Sequence, residues 1–181
     1  MLHKNTITAL DLYAKIYSES DIANIADFVK NDQTSVRRTN MHGHITASGL
    51  VLKNREILLV FHKKLQRFIQ PGGHLEETDI SLQEAAQREV REETGIRVAP
   101  APLFPYQAPI HVDAHIIPEN LKKGESEHWH YDCMYLFTPK NDNVNIDKNE
   151  VDDYQWVSLD YEFKDKGLAL AVGKINRLLE S

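Results

Sequence analysis

Arg88-Glu89-Val90-Arg91-Glu92-Glu93-Thr94-Gly95-Ile96 is the stretch from which the rest of the chain can be read. Read back to Ser81, it predicts a helix over Ser81 to Thr94. Ser81 followed by Glu84 forms an N-terminal capping box, and Gly95 stands where a left-handed glycine ends a helix. At about 100° per residue, Leu82, Ala85, Ala86, Glu92 and Glu93 all fall within about 60° of Glu89. The apolar stripe that should face the core thus ends in three carboxylates. Two readings follow. One is an ordinary solvated acidic helix end, which the helix dipole mildly disfavours. The other is a site for a divalent cation, which relieves the repulsion among the acids and suits hard oxygen ligands. On that second reading Arg88 holds one carboxylate in place.

Working outward, the period changes along the chain. Residues to about Asn40 read as helical. Thr8 with Asp11 resembles a capping box, Leu12, Ile16 and Tyr17 recur at helical spacing, and Ile22, Ile25, Phe28 and Val29 form a second run. Asn31 to Asn40 is polar and reads as a linker. Residues 1–40 are therefore expected to be a helical N-terminal extension, open to packing on the domain, forming a homodimer or shaping a substrate pocket. Residues 41–181 are the expected main domain. Strands are expected over Ile45–Leu52 and Ile57–Phe61 with a turn at Lys53–Arg55, then at Phe68–Gln70 before the breaker Pro71-Gly72-Gly73. Further strands are expected over His111–Ile117, Trp129–Phe137 and Gln155–Leu159, and a last helix over Leu168–Leu179. Helices flanking a mostly β core give an α+β class.

The bulk numbers exclude several classes. The 181 residues suit one compact domain, and a net charge of −6 without a long basic run argues against dedicated nucleic-acid binding. No DNA-binding helix pair is evident. No segment approaches the roughly 20 apolar residues of a membrane span, and the N-terminus opens no signal-like apolar stretch. The single cysteine, Cys133, cannot form an internal disulfide, so a reducing cytoplasm is expected. Cys133 sits in an apolar run and reads as a buried thiol. Arg37-Arg38 reads as a surface pair.

Histidines alternate twice. His128, His130 and Asp132 share one face of a strand, as do His111, Asp113 and His115. If the two strands are neighbours, these groups line a substrate pocket or hold a second metal. Pocket lining is favoured because no cysteine or fixed zinc spacing accompanies them. Trp129 and Tyr131, on the opposite face, are expected in the core.

Gly73 together with the run Arg88 to Ile96 resembles the Nudix box, G-x5-E-x7-R-E-U-x-E-E-x-G-U with U a bulky aliphatic residue. Eight of nine specified positions match, and the Pro71-Gly72-Gly73-His74 lead-in and late Tyr154-Gln155-Trp156-Val157 segment also look typical. One position departs from the pattern. The sixth residue after Gly73 is Asp79 rather than Glu, and eight residues instead of seven separate it from Arg88, so one extra residue lies before Ser81. The resemblance implies an α/β/α sandwich around a mixed β-sheet and hydrolysis of a small-molecule diphosphate, such as a nucleoside diphosphate linked to another moiety. It implies Mg²⁺, with Mn²⁺ as substitute, held by Glu89, Glu92, Glu93 and the Gly73 carbonyl. Glu89 or Glu93 is the base, and Arg88 orients a carboxylate. It also implies a distal acid, for which Glu127 and Glu150 are candidates. A non-catalytic binding module is the alternative, disfavoured by retention of all three glutamates. An isoprenoid diphosphate isomerase would call for a cysteine placed unlike Cys133.

Overall fold

In the computed structural model, residues 1–17, 20–105, 107–121, 124–141 and 143–181 are described, without the side chains of 20 and 21. The family resemblance also implies that substrate specificity comes from loops outside the box, here Pro100–Pro109 and Pro118–Glu127, and these fall partly outside the described residues, at 106, 122 and 123. The elements in chain order are α1 (Leu2–Ile16), α2 (Ser20–Asn31), β1 (Gly43–Lys53), β2 (Glu56–His62), β3 (Arg67–Ile69), β4 (Gly72–His74), α3 (Leu82–Thr94), β5 (Val98–Pro100), β6 (His111–Ile117), β7 (His128–Pro139), β8 (Val151–Ser158) and α4 (Lys166–Glu180). No helix among the described residues is long and apolar enough to cross a membrane.

The eight strands form one mixed sheet ordered β3-β2-β1-β7-β5, with β4 on β1, β6 on β7 and β8 on β2. β1 and β7 run parallel over nine residue pairs, from Gly43↔Trp129 to Val51↔Phe137. Every other pairing is antiparallel. β1 joins β2 only at its end, through Leu52↔Ile57 and Lys53↔Glu56. The turn between them carries Asn54 and Arg55 at positive φ, 49° and 62°, as a tight two-residue hairpin demands.

Side chains alternate between two cores, one on each sheet face. Ile45, Ala47 and Val51 of β1 pack with Leu82, Ala85, Ala86 and Val90 of α3 and with residues of α1 and α2. Leu50 and Leu52 pack on the other face with Leu168, Ala171, Val172 and Ile175 of α4. This is an α/β/α sandwich. The approach of α3 to β1 is close because Gly49 lies beneath it; a Cβ there would sit 2.4 Å from Val90 Cγ2.

Four expectations need correction. α1 begins well before Thr8, whose hydroxyl donates to the Lys4 carbonyl within the helix (3.1 Å) instead of capping it. The polar segment Asn31–Asn40 contains a 3₁₀ turn at Gln33–Val36, and Asn40 is buried and donates to Asp32 and Thr34. Gly72–His74 reads as a breaker in sequence but is a strand, because its backbone finds a partner in Thr46, Ala47 and Ser48 of β1. Trp129 is 41% exposed, while Tyr131, two residues further along, is covered by Phe28 of α2 with ring centroids 5.4 Å apart. The helical layer stops short of the strand's first turn of the pleat.

Candidate active site

α3 places the acids. The Ser81 side chain caps it by accepting from the Glu84 amide (3.2 Å), and Gly95 ends it at φ 70°. Its buried face includes Leu82, Ala85, Ala86, Val90 and also Glu89 and Glu93, while Glu92 is exposed. Gly73 of β4 lies directly beneath Glu89, and a Cβ there would approach Glu89 Oε1 to 2.7 Å. Only a glycine lets the strand backbone come this close to the carboxylate.

Arg88 organises the surroundings. Its Nη1 donates to Glu89 Oε1 (2.8 Å) and Glu92 Oε2 (3.0 Å), and its Nη2 donates to the His74 carbonyl (3.0 Å). Nε and Nη2 together grip Asp79, at 3.1 and 2.9 Å. Asp79 also accepts from the Glu76 amide (2.8 Å) and closes a turn back to Glu76. The box position that departs in sequence thus carries a buried acid, in the loop before Ser81, paired to the guanidinium.

Burial raises both inward acids, Glu89 to about 7 and Glu93 to about 8. For Glu89 the Arg88 charge works against that rise, while Glu92 and Glu150 add to it. For Glu93, Glu89 and Glu150 add further, and the Gly72 amide opposes. Glu93 Oε2 is buried with no hydrogen-bond partner among the described residues. An orphaned anionic oxygen beside a second buried carboxylate is what a hard cation would satisfy. The residues present therefore fit a divalent ion at Glu89 and Glu93 beside Gly73; Glu92, expected on the same inward face, is exposed and its carboxylate is held by Arg88 at the edge of the site. Of the two distal candidates, Glu150 acts electrostatically on both inward acids. Glu127 instead lines a depression of about 220 Å³ with Met41, His42, Ile116, His128 and Trp129.

The two histidine strands are neighbours. β6 pairs with β7 so that His115 faces His130 and Asp113 faces Asp132. Register across β1 adds His44 opposite His130, and Thr46 opposite both Asp132 and His74. Five imidazoles therefore share the sheet face turned away from α3: His44, His74, His115, His128 and His130. In sequence the polar alternation His44, Thr46, Ser48 along β1 is the one sign of His44, and its meeting with His74 depends on register. Asp132 is buried and accepts from Thr46 (3.1 Å), Ser48 (2.6 Å) and Gln70 (3.1 Å). His111 lies elsewhere, beside Tyr13 and the buried Lys174. Cys133 is buried, as expected, and burial raises its thiol well above the usual range.

The family model described as the NUDIX domain matches residues 43–176. No curated protein matches. Among solved structures, a Nudix-family hydrolase from Clostridium perfringens is 23% identical, with TM-score 0.58 over 77% of this chain and 99% of that one. A MutT Nudix hydrolase from Burkholderia pseudomallei is 16% identical, with TM-score 0.52 over 74% of this chain and 98% of that one. A C. elegans Ap4A hydrolase is 17% identical, with TM-score 0.53 over 75% of this chain and 97% of that one. These likenesses concern the fold, and the family match spans most of the chain, glutamate helix included: the chain belongs to the Nudix family of hydrolases acting on pyrophosphate bonds.

Proposed function

We propose that the chain hydrolyses the phosphoanhydride bond of a nucleoside diphosphate derivative or a related small diphosphate, in a reaction that depends on Mg²⁺, with Mn²⁺ as a substitute. The single observation that carries this reading is the buried, partnerless Glu93 Oε2 beside buried Glu89. When bound, the ion would neutralise phosphate charge and polarise phosphorus toward water. The chain's own residues do the rest. Arg88 fixes Glu89 and Glu92 in place through Nη1, and its fork onto Asp79 stops the guanidinium from swinging away. Gly73 lets the Glu89 carboxylate lie flat against β4. In the proposed reaction a carboxylate beside the ion takes up the proton of the attacking water, a role open to Glu89 or Glu93. Glu150 is the distal acid we favour, because its charge is felt by both.

We keep substrate at the acids of α3; His128, His130 and Asp132 share the sheet face turned away from that helix, with His128 at the rim of the depression described above. Asp132, already accepting from three side chains, holds the floor of that face. Relatives of the same fold include a protein titled ADP-ribose pyrophosphatase, from Streptococcus suis, besides the Ap4A hydrolase, which makes nucleotide diphosphates and polyphosphates the first compounds to assay. The test is release of phosphate or monophosphate from a panel of nucleotide sugars, dinucleoside polyphosphates, NADH and nucleoside triphosphates, with and without Mg²⁺. At least one should turn over only with metal, and Glu89→Gln and Glu93→Gln should each lower kcat by roughly 10²–10³-fold, the scale of a lost charge-stabilising group. Full activity in both variants would reject the acids as the site. Binding without turnover across the panel would instead favour a regulatory module.

A further inference from the structure

On the sheet face opposite the acids, three imidazoles meet with one ring nitrogen of each close to the other two. His44 is 1% exposed and His128 5%. The Nδ1 of His44 lies 3.0 Å from the Asn40 carbonyl, and the Nδ1 of His128 lies 2.7 Å from the Ser126 carbonyl. A carbonyl only accepts, so each Nδ1 carries the hydrogen and each neutral ring presents a lone pair at Nε2. The His128 and His130 Nε2 atoms stand 3.2 Å apart. Two nitrogens about 3.3 Å apart are what a tetrahedral ion with Zn–N bonds of about 2.0–2.1 Å requires. His44 Nε2 is buried and has no hydrogen-bond partner among the described residues. One candidate ligand atom from each of the three rings lies within 4.8 Å of the others.

We propose that His44, His128 and His130 form a transition-metal site of the zinc type, distinct from the hard-cation site of the glutamates. Three features argue for it together. Imidazole nitrogens select zinc and its neighbours over Mg²⁺. Both Nδ1–H groups are anchored on backbone carbonyls, the outer-sphere arrangement that fixes ring orientation and tautomer in metal-binding histidines. The orphaned Nε2 of His44 gains the partner it lacks. His74 is adjacent, with ring centroids 5.1 Å from those of His44 and His130, and three nitrogens leave the fourth position of a tetrahedral ion to an oxygen ligand. The site stands on the sheet register and does not depend on the glutamates having a catalytic role.

The test uses the full chain, stripped with chelator and held in excess Mg²⁺ so that the glutamates are occupied. ZnCl₂ is titrated calorimetrically, and CoCl₂ is followed by its visible absorption, which is intense for tetrahedral nitrogen coordination. One equivalent of zinc should bind. His44→Gln and His128→Gln should each weaken it by roughly 100-fold or more, beyond the ~10–100-fold typical of losing an outer-sphere partner. Glu93→Gln and His115→Gln should keep both the zinc stoichiometry and the cobalt spectrum. Melting curves identify any variant that fails to fold, and His130→Gln then provides a second ligand deletion. Wild type that takes up no zinc, zinc lost on Glu93→Gln, or zinc retained unchanged in every folded ligand variant would each overturn the proposal.

Discussion

Replacing Glu93 with Gln removes a carboxylate that is 3% exposed and whose pKa burial lifts from 4.5 to about 8. In the unfolded chain the same group titrates near its ordinary value. The folded state therefore holds the proton more tightly, and this contribution to stability is complete below about pH 4.5 and lost as pH rises through about 8. Between about pH 6 and 9 the loss amounts to about 2.5 kcal/mol, from 1.36 kcal/mol per pKa unit. For a chain of this length that corresponds to a fall of about 5–10 °C in Tm. Several buried histidines titrate in the opposite sense at the acid end, since burial lowers His44, His74 and His130. The clean quantity is therefore the difference in Tm between wild type and Glu93→Gln, measured in chelator across that pH range. Gln has no proton to lose, so wild type should lose ground against the variant as pH rises. Saturating Mg²⁺ should flatten the slope, because an ion binds the deprotonated carboxylates and stabilises the form that high pH favours. A wild-type-minus-variant difference that stays constant with pH, or grows in favour of wild type, would refute the claim that Glu93 is a strained buried acid awaiting a cation.

Three further outcomes follow from packing around the same helix. Gly73→Ala would put a Cβ 2.7 Å from Glu89 Oε1; the flexible carboxylate yields, so the circular dichroism spectrum should be unchanged while kcat/KM drops by roughly 100-fold, the scale of a 1 Å misplacement. Asp79→Ala removes the buried partner gripped by Arg88 Nε and Nη2; urea unfolding should show a loss of about 3 kcal/mol, whereas an exposed pair such as Arg67–Asp165 should cost under about 1 kcal/mol when broken. Gly49→Ala would place a methyl 2.4 Å from Val90 Cγ2 and close to Phe137; overpacking there should lower stability by about 1–3 kcal/mol and shift α3, read as a lower urea midpoint with reduced activity.

What could be read from the sequence was the part that is local. The capped helix from Ser81 to Gly95 and the strand His111–Ile117 follow from periodicity and cap chemistry within a few residues. The acids of α3 were visible for the same reason, since helix spacing alone puts Glu89 and Glu93 on the apolar stripe. β4 was not visible, because Pro71-Gly72-Gly73 carries no strand propensity and becomes a strand only by pairing with β1. The fork from Arg88 to Asp79 was hidden by the extra loop residue, which breaks the fixed spacing that a motif search relies on. His44 and His74 are not legible in the sequence, because a lone histidine acquires meaning only from register, here the pairings His44↔His130 and Thr46↔His74. Trp129 misled because alternation tells which face a side chain takes and not whether anything covers it.

β4 also explains how the departure from the box's spacing leaves the contacts of Glu89 and Arg88 in place. Its three residues serve both sheet faces: Gly73 lies under Glu89, the His74 ring meets His44 and His130, and the His74 carbonyl accepts from Arg88. A strand alternates faces at every residue, so one residue inserted ahead of Gly73 would present a side chain to Glu89 and turn the imidazole toward α3. One residue inserted after His74 changes neither contact, provided the loop can return Asp79 to the guanidinium. The turn from Glu76 to Asp79, closed by Asp79 accepting from the Glu76 amide, does that. The position at which this chain tolerates an extra residue is thus the one that leaves the two faces of β4 in register.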